Sequence, residues 1–272
     1  MLKTIASILG ILLFFYLVFL SYVYLFQHRM VYVPFSELAG DPAQKGLAYE
    51  EIFLESSHGN KIHAWYIPAR EERGVVLFCH GNAGNISHRL QTIEMLNSLN
   101  MSVLIFDYQG YGKSSGRPGE KETYQDALTA WQYLVNSRMI PPEKIFVFGR
   151  SLGGAVAADV AAGRNPAGVI LESTFTSVID LATQLFTYMP VRLLIRFEYD
   201  TLKKLDQITS PVLVIHSSED EIIPYSHGRK IYESAPEPRY FAQIRGEHNT
   251  GFMQSQDNYL KELDNFFSRH SL

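Results

Sequence analysis

Apolar residues are laid out along this chain in two ways. From Ile5 to Phe26 every position is apolar, aromatic or small and none is charged; beyond Val31, apolar positions come in short runs divided by polar and glycine-rich stretches. At about 1.5 Å per residue the first run makes a helix about 33 Å long, enough to cross the hydrocarbon of a bilayer. Tyr22, Tyr24 and Phe26 near its end, followed by His28 and Arg29, fit a helix leaving a membrane at its interface. The run is too long for the apolar core of a secretion signal and lacks a small-x-small cleavage site. Residues 1–29 are therefore expected to form an uncleaved, single-pass anchor. Lys3 on one side, and His28, Arg29 and Lys45 on the other, do not orient it.

Residues 30–48 read as a connector punctuated by proline and glycine. Two alternating segments follow, Glu50 to Leu54 and Lys61 to Ile67, separated by Ser57, His58, Gly59 and Asn60, which predicts an antiparallel hairpin. The texture then changes. Short apolar runs (Val75 to Cys79, Val103 to Phe106, Ile145 to Phe148, Val169 to Leu171, Val212 to Ile215, Tyr240 to Ile244) alternate with segments of helical periodicity (Ile86 to Leu99, Glu120 to Asn136, Leu152 to Ala162, Ser226 to Ser234, Met253 to Ser268). Strand and helix in alternation predict an α/β fold, with a mostly parallel central sheet covered by helices on both faces. A chain of 272 residues has room for one such domain, placed at residues 49–272.

Charge and cysteine content narrow the function classes. A formal net charge of −4 offers no general attraction to phosphate backbones, so no nucleic-acid partner is expected. The single cysteine, Cys79, excludes an internal disulfide and a Cys-based zinc site, and its apolar run reads as core packing. There is no HExxH, no P-loop and no GxGxxG after the first parallel strand, so no metal or cofactor is expected.

In an open α/β sheet, ligands bind beyond the carboxyl ends of the strands. Four of those ends carry candidate chemistry. Gly149-Arg150-Ser151-Leu152-Gly153 is a GxSxG sequence between an apolar run and an Ala-rich helix, a setting in which a strained turn exposes a serine Oγ. His80-Gly81-Asn82-Ala83-Gly84-Asn85 is a loop of small residues able to turn backbone N–H groups to the same point. The backbone N–H groups of Leu152 and Asn82, with Ala83 a close rival to Asn82, are candidates for an oxyanion hole. His80 reads as a histidine holding this loop. Asn85-Ile86-Ser87 is a glycosylation sequon by accident of its place beside the site. After Pro211 to Ile215 come Glu219, Asp220 and Glu221, of which Asp220 is the candidate acid, with Glu172 an alternative from another strand end. After Tyr240 to Ile244 comes His248, the candidate base. Ser151, Asp220 and His248 thus stand in the order serine, acid, histidine.

The motifs HGNAGN (His80 to Asn85), DYQGYGKSSG (Asp107 to Gly116), GRSLGG (Gly149 to Gly154), ESTFTS (Glu172 to Ser177), SSEDEIIP (Ser217 to Pro224) and GEHN (Gly246 to Asn249) resemble those of a known group. It comprises membrane-anchored α/β-hydrolase-domain proteins with a serine-aminopeptidase-like or bud-emergence-suppressor-like domain, and includes relatives of protein depalmitoylases. The resemblance implies a serine hydrolase of the α/β-hydrolase fold with a Ser151, Asp220, His248 triad and a short helical cap. Gln109 departs from the arginine usual in the family's D-Y-R-G-Y-G loop, and the N-terminal cysteine cluster of the depalmitoylase branch is absent, so depalmitoylation is not carried over.

The cap is expected at about residues 176–205. Leu181, Leu185, Phe186, Tyr188, Met189, Leu193, Leu194 and Phe197, with Arg192 and Arg196 among them, give this segment an apolar face. That face either shelters an acyl chain or rests on a membrane, or else merely covers the sheet. The expected activity is hydrolysis of acyl esters or thioesters of a small-molecule or lipid-like substrate. A serine peptidase and a non-catalytic anchored scaffold are the rivals.

Overall fold

The computed structural model describes residues 1–57 and 59–271; His58, in the expected hairpin turn, lies outside them. Helix α1 (Leu2–Val31) is unbroken and extends beyond the charge-free run at both ends. An 18-residue stretch within it has a mean hydropathy of 2.4, which makes the helix a candidate membrane span. The strands in chain order are β1 (Val33–Pro34), β2 (Glu50–Glu55), β3 (Lys61–Ile67), β4 (Gly74–Cys79), β5 (Ala83–Gly84), β6 (Met101–Phe106), β7 (Ile145–Arg150), β8 (Gly168–Glu172), β9 (Val212–Ser217) and β10 (Arg239–Ile244). The remaining α-helices are α2 (Leu90–Ser98), α3 (Glu120–Gln132), α4 (Leu152–Ala161), α5 (Val178–Leu185), α6 (Val191–Leu194), α7 (Thr201–Leu205), α8 (Tyr225–Ser234), α9 (Gly251–Gln254) and α10 (Gln256–His270).

The main sheet has eight strands in the order β10-β9-β8-β7-β4-β6-β3-β2. β2 and β3 pair antiparallel as the expected hairpin, and β3 joins β6 antiparallel; the other pairings are parallel. β4, β6, β7, β8 and β9 are buried along their whole length, which is why they read as continuous apolar runs instead of alternating ones. The period of two still divides their side chains. Val75, Leu77 and Cys79 enter the core on one face of the sheet, and Val76 and Phe78 the core on the other, where Phe78 stacks on Phe148 at 4.7 Å. Burying each such side chain stabilises the fold by about 1.5–3 kcal/mol, so both faces must stay covered by helices. Cys79 is fully buried and burial pushes its thiol up, in keeping with a packing role.

Two departures from the sequence expectation have local causes. The helix expected from Met253 to Ser268 is two helices broken at Ser255, whose hydroxyl accepts the Arg245 N–H at 2.9 Å and donates to the Arg245 carbonyl at 3.0 Å. A serine that bonds a neighbouring loop gives the chain an alternative to continuing the helix. The connector is also not all irregular. β1 pairs in parallel with β5 inside the His80–Asn85 loop, Val33 opposite Ala83 and Pro34 opposite Gly84.

Candidate active site

Ser151 sits between β7 and α4 with φ 55°, a left-handed conformation that a serine rarely adopts. The turn is fixed from three directions. The Ser151 N–H donates to the Glu172 carbonyl at 2.9 Å, while the Ser151 carbonyl accepts the Gly154 N–H at 2.9 Å and the Thr174 hydroxyl at 2.7 Å. The flanking glycines are required by contact. A Cβ on Gly153 would collide with the Cys79 and His80 carbonyls, and one on Gly149 with the Gly153 carbonyl. A turn this tight puts the serine-bearing backbone against β4 and leaves Oγ at the end of the strand.

His248 Nε2 lies 3.1 Å from Ser151 Oγ, and His248 Nδ1 lies 2.7 Å from Asp220 Oδ2. An ionised carboxylate only accepts, so Nδ1 carries the proton and Nε2 faces the serine with its lone pair. The Asp220 side chain is fully buried, and Oδ1 accepts the N–H groups of Ile222 and Ile223 at 3.0 and 2.7 Å. Burial alone would raise this carboxyl; the hydrogen bond and charge of His248, with the Ile223 N–H, hold it below its ordinary value. His216 stands behind the pair, its Nε2 3.6 Å from Asp220 Oδ2 and 3.0 Å from the Ile223 carbonyl. Burial pushes the His216 imidazole down, so it sits there neutral.

The rival acids have other duties. Glu219 accepts the Gly246 N–H at 2.9 Å and Glu221 accepts the His248 N–H at 2.8 Å, so the carboxylates on either side of Asp220 hold the backbone of the histidine loop. Glu172 is 1% exposed and pairs with Arg150, Nε to Oε1 at 2.8 Å, while the Tyr259 hydroxyl donates to it at 2.8 Å. The Arg150 guanidinium lies 4.0 Å over the Phe252 ring, which closes this buried pair from the other side. Nothing in the sequence pattern separates these three carboxylates by role; each is assigned by a partner far along the chain.

The His80–Asn85 loop packs beside the serine. A Cβ on Gly81 would stand 3.4 Å from Ser151 Cβ, and Asn82, Ala83 and Leu152 line one cavity with Ser151 and His248. His80 is fully buried, with Nδ1 2.7 Å from the Gly81 carbonyl, and burial drives its imidazole down to about 3. Asn85 is also fully buried; its amide donates to the Phe35 and Glu37 carbonyls and its oxygen accepts from Ser87, leaving no room for a glycan. In the following loop, Gln109 donates through Nε2 to Asp126 at 2.8 Å, and its backbone N–H does the same. A neutral amide therefore stands against a buried carboxyl, and burial pushes Asp126 up to about 7.

The cavity has a volume of about 800 Å³. Leu181, Leu185, Phe186, Leu194 and Phe197 of the cap line it, so the apolar face expected there faces a cavity over the serine, while Leu193 points to the outside at 82% exposure. Helix α1 contributes Phe19, Val23 and Met30 to the same wall, which the sequence did not foretell.

Residues 70–196 match the family described as Serine aminopeptidase, S33. The chain is 34% identical to the α/β-hydrolase domain-containing protein WAV2 of Arabidopsis thaliana, over 90% of this chain and 89% of that one. The chain belongs to the α/β-hydrolase family. Another similar member is α/β-hydrolase domain-containing protein 17C of Mus musculus, 34% identical over 81% of this chain and 68% of that protein. Among solved structures, an esterase of Pyrococcus furiosus superposes with a TM-score of 0.73 at 20% identity, covering 89% of this chain and 98% of the esterase. That likeness places this α/β-hydrolase in the same fold.

Proposed function

We propose that this α/β-hydrolase is a membrane-anchored serine hydrolase that cleaves acyl ester or thioester bonds through an acyl-enzyme. The observation that carries the reading is the continuous chain from Ser151 Oγ to His248 at 3.1 Å and from His248 to the buried Asp220 at 2.7 Å. As Oγ attacks the acyl carbonyl, His248 Nε2 takes its proton, and Asp220 stabilises the imidazolium that forms. The backbone N–H groups of Leu152, at the start of α4, and of Asn82 receive the oxyanion, with Ala83 adjacent; one such donor contributes about 3 kcal/mol to the barrier. His248 then returns the proton to the leaving oxygen or sulfur. Water, deprotonated by the same imidazole, releases the acid and restores Ser151. No cofactor enters any of these steps.

Membrane anchorage is supported by the way α1 is bonded into the hydrolase. Gln27 Nε2 donates to the Leu194 carbonyl at 3.0 Å, its Oε1 accepts the Arg196 N–H at 2.9 Å, and β1 follows directly onto the sheet of the His80–Asn85 loop. A helix tied to the fold in this way suits a retained anchor better than a detachable leader.

The family description also brings a peptidase reading into view. A site for a peptide amino terminus calls for a carboxylate, and among the described residues no Asp or Glu lines the cavity. Turnover of matched acyl thioesters, esters and aminoacyl amides by the full chain in detergent separates the two. Faster ester and thioester turnover is expected; faster amide turnover would replace the acyl-hydrolase reading with a peptidase.

A further inference from the structure

The face of α1 that the rest of the chain covers, with Leu20, Val23, Gln27, His28 and Val31, runs along one side of the helix at spacings of three and four. Phe19, Val23 and Met30 on the same side line the cavity that holds Ser151 and His248. This contact is locked by polar bonds that an apolar helix does not otherwise need. Gln27, 5% exposed, holds both a carbonyl and an N–H of the cap, and the Tyr16 hydroxyl donates to the Tyr188 carbonyl at 2.7 Å. At the other end, the Val33 N–H donates to the Asn82 carbonyl at 3.2 Å and the Asn82 amide donates to the Val31 carbonyl at 3.1 Å. The helix is thus joined both to the cap and to the loop beside the serine.

Tyr16 stands about 22 Å along the helix axis from Val31. A hydrocarbon core is only about 30 Å thick, so if α1 spans it, the cap beside Tyr16 lies at bilayer depth. The side chains of that part of the cap agree: Leu193 lies outside the cavity at 82% exposure, and Leu185, Phe186 and Tyr188, which line the cavity, remain exposed as well. An apolar patch of this kind is costly in water and neutral in lipid.

We propose that α1 is a wall of the substrate site as well as an anchor. The acyl chain of a lipid-like substrate enters sideways from the bilayer and lies between the Phe19, Val23, Met30 stripe and the cap, with its carbonyl at Ser151. This inference rests on the acyl-hydrolase reading above and adds a substrate class and residues that set chain length. One cavity reaches from the serine to α1, so a long chain extends along α1 while a short one stays near Ser151.

The test uses the full chain in phospholipid nanodiscs and the ratio of kcat/KM for a palmitoyl ester to that for a butanoyl ester. Val23→Trp narrows the stripe and is expected to lower this ratio by about tenfold, the scale at which a pocket wall discriminates chain lengths. Phe19→Ala widens it and is expected to raise the ratio. Leu25→Trp, on the lipid-facing side at 65% exposure, is the control and should leave the ratio unchanged. Labelling of each variant by a short alkyl fluorophosphonate reports that the serine is intact and the chain folded. Equal losses on both esters in Val23→Trp, or an unchanged ratio in both Val23→Trp and Phe19→Ala, would overturn the proposal. Wild type inert to both esters and to the fluorophosphonate would instead remove the hydrolase reading, and this inference with it.

Discussion

Asp220 Oδ2 lies 2.7 Å from His248 Nδ1, while the other oxygen of the same carboxylate is taken up by the N–H groups of Ile222 and Ile223. The carboxylate therefore has one free direction, and it points at the imidazole. Asp220→Asn keeps the shape but lets the amide NH2 face Nδ1, favouring the wrong tautomer. A fall in kcat of about 10³- to 10⁴-fold on a short ester is expected. Glu172→Gln, at the other candidate acid, is expected to weaken the buried pair with Arg150 by about 3 kcal/mol yet retain turnover per folded molecule. Measuring turnover against the titrated folded fraction separates the two, and equal catalytic losses would reopen the choice of acid.

Glu221 acts through the His248 backbone. Removing the acceptor in Glu221→Ala should let the histidine loop drift and lower kcat about tenfold with little change in KM. Glu221→Gln keeps an acceptor oxygen and should restore most of the rate. A loss that glutamine does not rescue would point to the charge of Glu221 and not to its grip on the loop.

Gly153 lies under the carbonyls at the end of β4 with no space for a methyl group. Because backbone cannot give way as a side chain can, Gly153→Ala is expected to cost at least about 3 kcal/mol. Thermal unfolding in detergent should show this as a large drop in midpoint or as failure to accumulate. Gly163, with open space around its Cα, serves as the comparison, although its φ of 69° carries its own smaller penalty. An unfolding midpoint for Gly153→Ala at the wild-type level would contradict the tight-turn account.

Asp126 makes the stability depend on pH. Burial raises its carboxyl to about 7 in the folded chain, against about 4 when unfolded. Between these values the folded state binds the extra proton. The contribution is therefore complete below about pH 4 and is lost as pH rises through about 7, amounting to roughly 4 kcal/mol at most. Unfolding midpoints should fall from pH 5 to pH 8, and Asp126→Asn should flatten that slope whatever its absolute level. Gln109→Arg, by supplying a counter-charge, should also flatten it. An Asp126→Asn slope equal to that of wild type would rule Asp126 out as its source.

Much of this site can be read along the chain, because Ser151, Asp220 and His248 each follow an apolar run, and a parallel sheet gathers such strand ends at one edge. The hairpin is legible for a similar reason: its alternation is local. What escapes is whatever a distant partner decides. Glu219 and Glu221 look like solvated loop charges until the loop at Gly246 to His248 returns to them. Gln27 looks like the polar end of a membrane run, yet it is buried against Leu194 and Arg196. Val33 and Pro34, read as connector, become a strand only because the loop at Ala83 offers them an edge.

The most direct test of the central claim is covalent labelling of the detergent-solubilised full chain by a fluorophosphonate, with the adduct located by peptide mass. A single adduct on Ser151 in wild type, and no adduct in Ser151→Ala of equal folded fraction, is the predicted result. Folded wild type that takes no label, or label that persists in Ser151→Ala, would contradict it.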